Sequence, residues 1–326
     1  KSPMKSITAL SLTAFMALGL TACGDTEGAQ EGAYPAGPVK VVAPADPGSG
    51  WDLTARAIAQ DLGKEKIVTT ALPVENRPGA VGTVFLAEMI ERQKGKDDVV
   101  AVTSMAMNVN TTIGQTDYSY EDVTMIAGIS AENYVVVANA DSDISSLTDV
   151  TDALSKDAGS VPVGAATDDQ FPFSLIVDAA GGDAKDVNFV TYEGGGEQSA
   201  ALLAGDIDVA IAGYSEFQPM IESGDVKVLA VLSEERVEGI DAPTAKEQGI
   251  DVSLANWRGL YGPPDMPAEA VDFWADSLEE LSESETWKAT AKKNQWTTQF
   301  MRGDEFVEYV ADAQATVDEG YKLVNE

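Results

Sequence analysis

The sequence predicts an α/β protein with mostly parallel strands, organised as more than one compact unit. Two observations carry this expectation. Short runs rich in Val, Ile and Ala alternate with amphipathic stretches, the pattern of strands joined by crossover helices. The chain has 326 residues, and its body of about 300 exceeds the size at which a single hydrophobic core stops growing. No internal repeat of 20 to 50 residues interrupts the alternation.

The first segment is a leader. Lys1 and Lys5 are basic, and residues 7–20 are apolar or small. A membrane-spanning helix needs about 20 residues, so this run reads as the apolar part of an export signal. Leu20-Thr21-Ala22-Cys23 follows at the spacing where a bacterial lipoprotein signal is cut and the new terminal Cys acylated. Residues 1–23 are therefore expected to be a lipoprotein signal with Cys23 lipidated. Residues 24–33, small and polar, are expected to form a flexible tether. The body would then be lipid-anchored, in the periplasm or on the outer face of the cytoplasmic membrane.

Strands are expected at 39–43, 67–74, 99–103, 123–129 and 134–138, then at 161–165, 187–190, 207–212, 226–232 and 252–260. Helices fall between them, as at 52–62 and 83–93. The last third turns helical. Pro267 sits where a first-turn proline belongs, and Val271, Trp274, Leu278 and Leu281 recur at helical spacing. Asp304 is expected to cap a final helix with Phe306, Val310, Val317, Tyr321 and Val324 on one face.

Composition removes whole classes of function. The chain contains no His, and Cys23 is its only Cys. Ser-His-Asp and Cys-His catalysis, imidazole metal sites and the usual neutral-pH proton shuttle are thereby absent. No enzyme, cofactor or metal is expected. Lys plus Arg number 21 against 54 Asp plus Glu, a net charge of −33. Nucleic acid, whose binding depends on cations that neutralise phosphates, is not an expected partner. So large an acidic surplus suits a saline medium, where repulsion becomes local as the Debye length falls to about 3 Å at molar salt.

Two turns carry the binding chemistry. Pro44-Ala45-Asp46-Pro47-Gly48-Ser49-Gly50-Trp51-Asp52 follows a strand and opens a helix, and Glu75-Asn76-Arg77-Pro78-Gly79-Ala80-Val81-Gly82-Thr83 repeats the arrangement. A helix start presents unpaired N–H donors and partial positive charge, so it can hold an anion without a cationic side chain. In a parallel sheet both turns lie at the carboxyl ends of neighbouring strands and flank one crevice. Two such clamps suit a carboxylate. No Gly-Lys-Ser/Thr follows either turn, so neither is a nucleotide P-loop. Asp52 reads as the first helix's N-cap, Arg56 as a solvated residue, and Arg77 as the better placed of the two to lend charge to the site.

The two turns, taken with Tyr34-Pro35, Val39-Lys40-Val41-Val42, Tyr192-Glu193-Gly194-Gly195-Gly196-Glu197, Leu203-Ala204-Gly205-Asp206-Ile207-Asp208 and Trp257-Arg258-Gly259-Leu260, resemble the tripartite tricarboxylate transporter substrate-binding proteins, also called Bug receptors. The order and spacing of these motifs run from Tyr34 nearly to the end. The resemblance implies a two-lobed type II periplasmic-binding-protein fold with two crossing strands as hinge. Lobe one would comprise 34–130 plus 252–326, and lobe two 131–251. It also implies an extracytoplasmic receptor, monomeric, that captures a small organic carboxylate (a tricarboxylate such as citrate, or a di- or aromatic carboxylate) and passes it to the membrane subunits of a tripartite secondary transporter. The alternative is a sensor that presents ligand to a signalling receptor. Carried onto this chain, the family's ligand contacts fall on Ser49, Gly50, Trp51, Asp52, Gly79, Ala80, Val81, Gly82, Thr83 and Ser104. From lobe two they fall on Thr167, Gln170, Tyr192, Gly194 and Gly195. This chain departs from the family at Asp168-Asp169-Gln170-Phe171-Pro172-Phe173, where many members have a glycine- and serine-rich loop. Two acids facing an anion are unfavourable, so either they point outward or the ligand is not a simple polyanion.

Overall fold

A computed structural model of the protein describes residues 34–325. The leader, Cys23 and the tether lie outside the described residues. The strands are β1 (Lys40–Ala43), β2 (Val74–Asn76), β3 (Val99–Ser104), β4 (Thr124–Asn139), β5 (Val163–Ala165), β6 (Phe189–Thr191), β7 (Val209–Gly213), β8 (Val226–Val231), β9 (Ala255–Gly262) and β10 (Trp296–Arg302). The α-helices are α1 (Gly50–Lys64), α2 (Thr83–Arg92), α3 (Ala106–Thr112), α4 (Leu147–Lys156), α5 (Gln170–Ala179), α6 (Gly195–Ala204), α7 (Tyr214–Ser223), α8 (Ala268–Glu283), α9 (Glu285–Asn294) and α10 (Gly303–Leu323). The alternation of strands and helices read from the sequence is the α/β architecture observed.

The strand β4 organises the molecule. It is 16 residues long, about 50 Å at the usual rise, where most strands have five or six residues. Its first half pairs antiparallel with β9 on one edge and β10 on the other; its second half pairs with β7 and β8. The sheet beyond β9 continues β3, β1, β2, and beyond β7 it continues β5, β6. Parallel pairing is confined to β1 with β2 and β3, and to β5 with β6 and β7. Everything that touches β4 is antiparallel, so the expectation of a mostly parallel sheet holds only toward the two ends.

Two expected strands, 123–129 and 134–138, are thus one. The polar stretch between them stays paired: Ser130 faces Arg258 and Thr298, Glu132 faces Asn256 and Trp296, and Asn133 faces Ala255. The ladder carries on through a bulge between Gly128 and Ser130, and the buried Glu132 carboxylate is met by Arg258 and by the Ser215 N–H. Of the expected strand 67–74 only Val74 lies in a strand, β2, which runs on to Asn76; Pro73 lacks an N–H to pair, and the stretch before it is irregular. β10 stands where only helix was expected. Gln295, at φ 58°, ends α9 in a left-handed turn, and Trp296, Thr297, Thr298 and Phe300 have the β-branched and aromatic character that strands favour. Two caps also differ from expectation. Ser49 caps α1, its Oγ accepting from the Asp52 N–H at 3.3 Å, so Asp52 lies inside the helix. Asp304 lies within the first turn of α10, where it complements the helix dipole.

The strands are buried on both faces, and successive residues enter different clusters that sort the core by face. Val41, Ala43, Val100 and Val102 pack with Ile58 and Leu62 of α1, Trp274 and Leu278 of α8 and Trp287 of α9. Val135, Val137 and Ala212 pack with Leu202 of α6 and Phe217 of α7. On the opposite face one cluster runs unbroken from Val42 and Phe85 through Val136 and Phe173 to Phe306 and Val310 of α10. The core is therefore continuous behind β4 and divided in front of it.

Phe306 closes the continuous face where β4 and β9 cross. A Cβ on Gly259 would fall 2.6 Å from the Phe306 ring and 2.7 Å from the Ala127 carbonyl oxygen. The backbone oxygen cannot rotate away, so Gly259→Ala is expected to cost about 1–3 kcal/mol by overpacking, read as a lower urea midpoint with unchanged m-value. An unchanged midpoint would contradict this packing.

Candidate functional site

The divided face opens into a cleft of about 410 Å³, part of it continuous with solvent. One wall is built by Ala45, Ser49, Gly50, Trp51, Val81, Ser104, Asn256 and Arg258; the other by Ala166, Asp168, Asp169, Glu193, Gly194 and Glu216. The first wall collects the carboxyl ends of β1 and β3, the start of α1 and the face of β9. The second collects the loops after β5 and β6 and the start of α7. This is the crevice position at which open α/β sheets bind ligands.

The α1 start keeps two donors free. Gly48 N–H donates to the Asp52 carboxylate at 2.9 Å, Ser49 N–H to the Asp46 carbonyl at 3.2 Å, and Leu53 N–H to the Ser49 carbonyl at 3.0 Å. The N–H groups of Gly50 and Trp51 find no acceptor among the described residues, and both residues line the cleft. Asp52 braces this turn instead of facing a ligand. Besides Gly48 it accepts from Arg56 Nε and Asn76 Nδ2, each at 2.9 Å. Burial alone would raise its pKa, but Arg56, Gly48 and Asn76 together hold it below the ordinary value.

The second turn contributes less than its sequence suggested. Gly79, Ala80, Val81 and Gly82 all have positive φ. Gly82 N–H donates to the Gly79 carbonyl at 3.1 Å and Thr83 N–H to the Ala80 carbonyl at 3.2 Å, which removes them as donors for a ligand. Of this turn only Val81 lines the cleft. Gly82 and Thr83 line a smaller hollow beside it, behind Trp51, and Gly79 and Ala80 line neither. Trp51 packs on Gly82, and its indole N–H is buried without a partner. Arg77 pairs with Glu88 at 2.5 Å and stacks over Phe85, so it lends no charge here.

From the far wall, Gly194 lines the cleft and Gly195 N–H donates to Glu216 at 2.8 Å. Thr167 and Gln170 do not line it. The turn into α5 sends Asp168 and Asp169 into the cleft and places Thr167 and Gln170 in a separate hollow with Phe171 and Tyr321. The question left by the two acids is answered: they face the site. Tyr192 also lies outside the lining, packed beside Ile207 and the backbone of Gly164.

Three charged side chains that the sequence did not single out as ligand contacts meet at the cleft. Arg258 of β9, 3% exposed, pairs with Glu132 of β4 at 3.1 Å. The other Glu132 oxygen accepts from the Ser215 N–H of α7 at 2.7 Å. Glu216 completes the group, and the backbone of Gly50 approaches so closely that a Cβ there would collide with the Arg258 guanidinium. One signal was available: Arg258 and Glu132 are lone charges within apolar runs, and such charges are rarely buried unless paired.

Charge in this group is unbalanced. Burial, then the neighbouring carboxylates, pushes Asp169 well above the ordinary range, and burial raises Asp168 as well. Burial lifts Glu216 from 4.5 to about 7 although Arg258 opposes the shift. Burial disfavours the charge on Arg258, yet Glu132 and Glu216 outweigh that and hold its pKa above the usual arginine value.

The profile of the tripartite tricarboxylate transporter family receptors matches residues 54–320, and the chain belongs to that family of solute-binding receptors. Among curated relatives, a protein encoded between ttuE and ttuC′ in Agrobacterium vitis is 27% identical over 256 residues, covering 75% of this chain and 71% of the relative. BugT of Bordetella pertussis is 25% identical over 237 residues, covering 71% of this chain and 72% of BugT. Among solved structures, periplasmic binding protein BugD superposes with a TM-score of 0.81 at 20% identity, covering 90% of this chain and 99% of BugD. MatC of Rhodopseudomonas palustris with bound malate gives 0.79 at 19% identity, covering 89% of this chain and 100% of MatC. A second R. palustris protein, with adipate, gives 0.82 at 18% identity, covering 90% of this chain and 98% of that one. The fold is that of two-lobed periplasmic binding proteins.

Because Glu216 keeps its proton in the folded chain where an unfolded chain has lost it, the folded state binds more protons between about pH 4.5 and 7. Stability therefore falls as pH rises through that window. Glu216→Gln is expected to remove about 2–3 kcal/mol of this fall, measured by urea unfolding at a series of pH values. Parallel profiles for variant and wild type would contradict the assignment.

Proposed function

We propose that this receptor captures a small organic carboxylate and hands it to the membrane subunits of a tripartite secondary transporter. The observation that carries the reading is the pair of unpartnered N–H groups at Gly50 and Trp51, placed at a helix start and facing the same cleft as Arg258. A carboxylate supplies the acceptors that both lack. Neutral backbone donors with a helix dipole behind them also explain how a chain of net charge −33 can hold an anion. Support comes from the malate and adipate bound by its structural neighbours.

Capture follows from the division of the core. Residues 34–130 with 252–326 form one lobe and 131–251 the other, and β4 and β9 act as the hinge. The ligand's carboxylate seats on the α1 start, the second wall closes over it, and the closed form docks on the membrane partner. Cys23, acylated, keeps this exchange at the membrane surface. The leader's Leu20-Thr21-Ala22-Cys23 supports that placement.

Calorimetric titration of the full chain against mono-, di- and tricarboxylates, aliphatic amino acids, simple sugars and simple amines tests the reading. Saturable binding of at least one carboxylate is expected. Gly50→Ala, which displaces Arg258 and blocks approach to the N–H pair, is expected to weaken it by about 10- to 100-fold, about 1.4–2.7 kcal/mol. Binding of sugars or simple amines in place of every carboxylate, or wild-type affinity in Gly50→Ala, would overturn it.

A further inference from the structure

The two walls of the cleft differ in charge. The wall with the α1 start offers N–H donors, Ser49, Ser104, Asn256 and the one guanidinium. The facing wall offers Asp168, Asp169, Glu193 and Glu216 and no cation. Asp168 and Asp169 are 7% and 6% exposed, so each is more than nine-tenths buried while lining the cleft. Asp169 precedes α5 but makes no side-chain capping bond, and its carboxylate accepts no hydrogen bond from the described residues. Arg258 cannot neutralise this wall, since it is already engaged by Glu132. Its Nε is buried without a partner among the described residues. The cleft thus holds unmet acceptors on one side and unmet donors on the other.

A ligand with carboxylates at both ends would satisfy the donors but bring a second anion to a wall of acids that already lack counter-charge, whereas a cation there would favour the ionised form of Asp168 and Asp169. A neutral far end would leave the acids unpaired. We propose that the ligand is a small zwitterion, with its carboxylate on the Gly50–Trp51 start and a protonated nitrogen at the opposite end held by Asp168 and Asp169. This rests on the carboxylate reading above and narrows it. An organic ammonium is favoured over a metal ion because no group of three or more His, Cys, Asp or Glu among the described residues is arranged to hold one. An ammonium needs only acceptors, and it donates up to three hydrogen bonds.

The experiment is calorimetric titration of the full chain at neutral pH with ω-amino acids of three to six carbons. Each is compared with the dicarboxylate and the monocarboxylate of the same spacer length, and with the matching diamine. At least one ω-amino acid is expected to bind tenfold or more tightly than its dicarboxylate and monocarboxylate counterparts. Asp169→Asn and Asp168→Asn, each checked for an unchanged thermal transition, are expected to shrink that margin at least threefold. If dicarboxylates bind as tightly as the ω-amino acids, the zwitterion proposal falls and the carboxylate reading stands. If diamines bind and no carboxylate does, or if no carboxylate of either kind binds, both fall. A margin that survives unchanged in both Asn variants overturns the role given to the two acids.

Discussion

Arg258 and Glu132 meet at 3.1 Å in the middle of the sheet, nearly free of solvent, and the rest of the molecule is arranged around that meeting. Moving two charges out of water is costly, and their attraction repays the cost only when the remaining polar atoms also find partners. Glu132 meets that condition. It takes the guanidinium from β9 with one oxygen and the Ser215 N–H from α7 with the other. One side chain on β4 therefore joins strands of one half to a helix of the other. Removing either charge alone leaves the other buried and unpaired, a loss of about 3–5 kcal/mol for pairs of this kind. Arg258 also lines the cleft, although its Nε is buried without a partner among the described residues.

The cleft follows from how the core is distributed. Behind β4 the apolar cluster is unbroken from α2 to α10, and in front of it the cluster is split between the α1 side and the α7 side. A sheet so supported can bend on one face while keeping its packing on the other. Elements that end at the split face one another across a gap: the carboxyl ends of parallel strands, the start of α1, and the turns into α5 and α7. Backbone donors gather on one wall and acids on the other, so the cleft is polarised across its width.

Much of this was legible in the sequence, and the failures have physical causes. The first cradle could be read because its features are local: a strand, a turn with glycines, a helix start. Ser49, Gly50 and Trp51 accordingly line the cleft. The second cradle carried the same signature, yet the N–H groups of Gly82 and Thr83 are taken by the carbonyls of Gly79 and Ala80, an outcome fixed by backbone angles that spacing does not encode. The length of β4 was hidden because polar residues in a strand read as a break until their partners on β9, β10 and α7 are known. Arg258, Glu132 and Glu216 are far apart in sequence, and only the crossing of β4 and β9 beside α7 brings them together. The placement of Asp168 and Asp169 against Thr167 and Gln170 turned on the direction in which the chain enters α5, a rotation of a few residues that decides which side chains line the cleft.

The most direct test is a crystal structure of the full chain with a carboxylate that titration has shown to bind. A carboxylate group is predicted within hydrogen-bond distance of the Gly50 and Trp51 N–H groups and of Arg258, with the far end of the ligand against Asp168 and Asp169. A ligand seated instead in the hollow beside Thr167, Gln170 and Tyr321, or one whose carboxylate is held by the second turn alone, would contradict it.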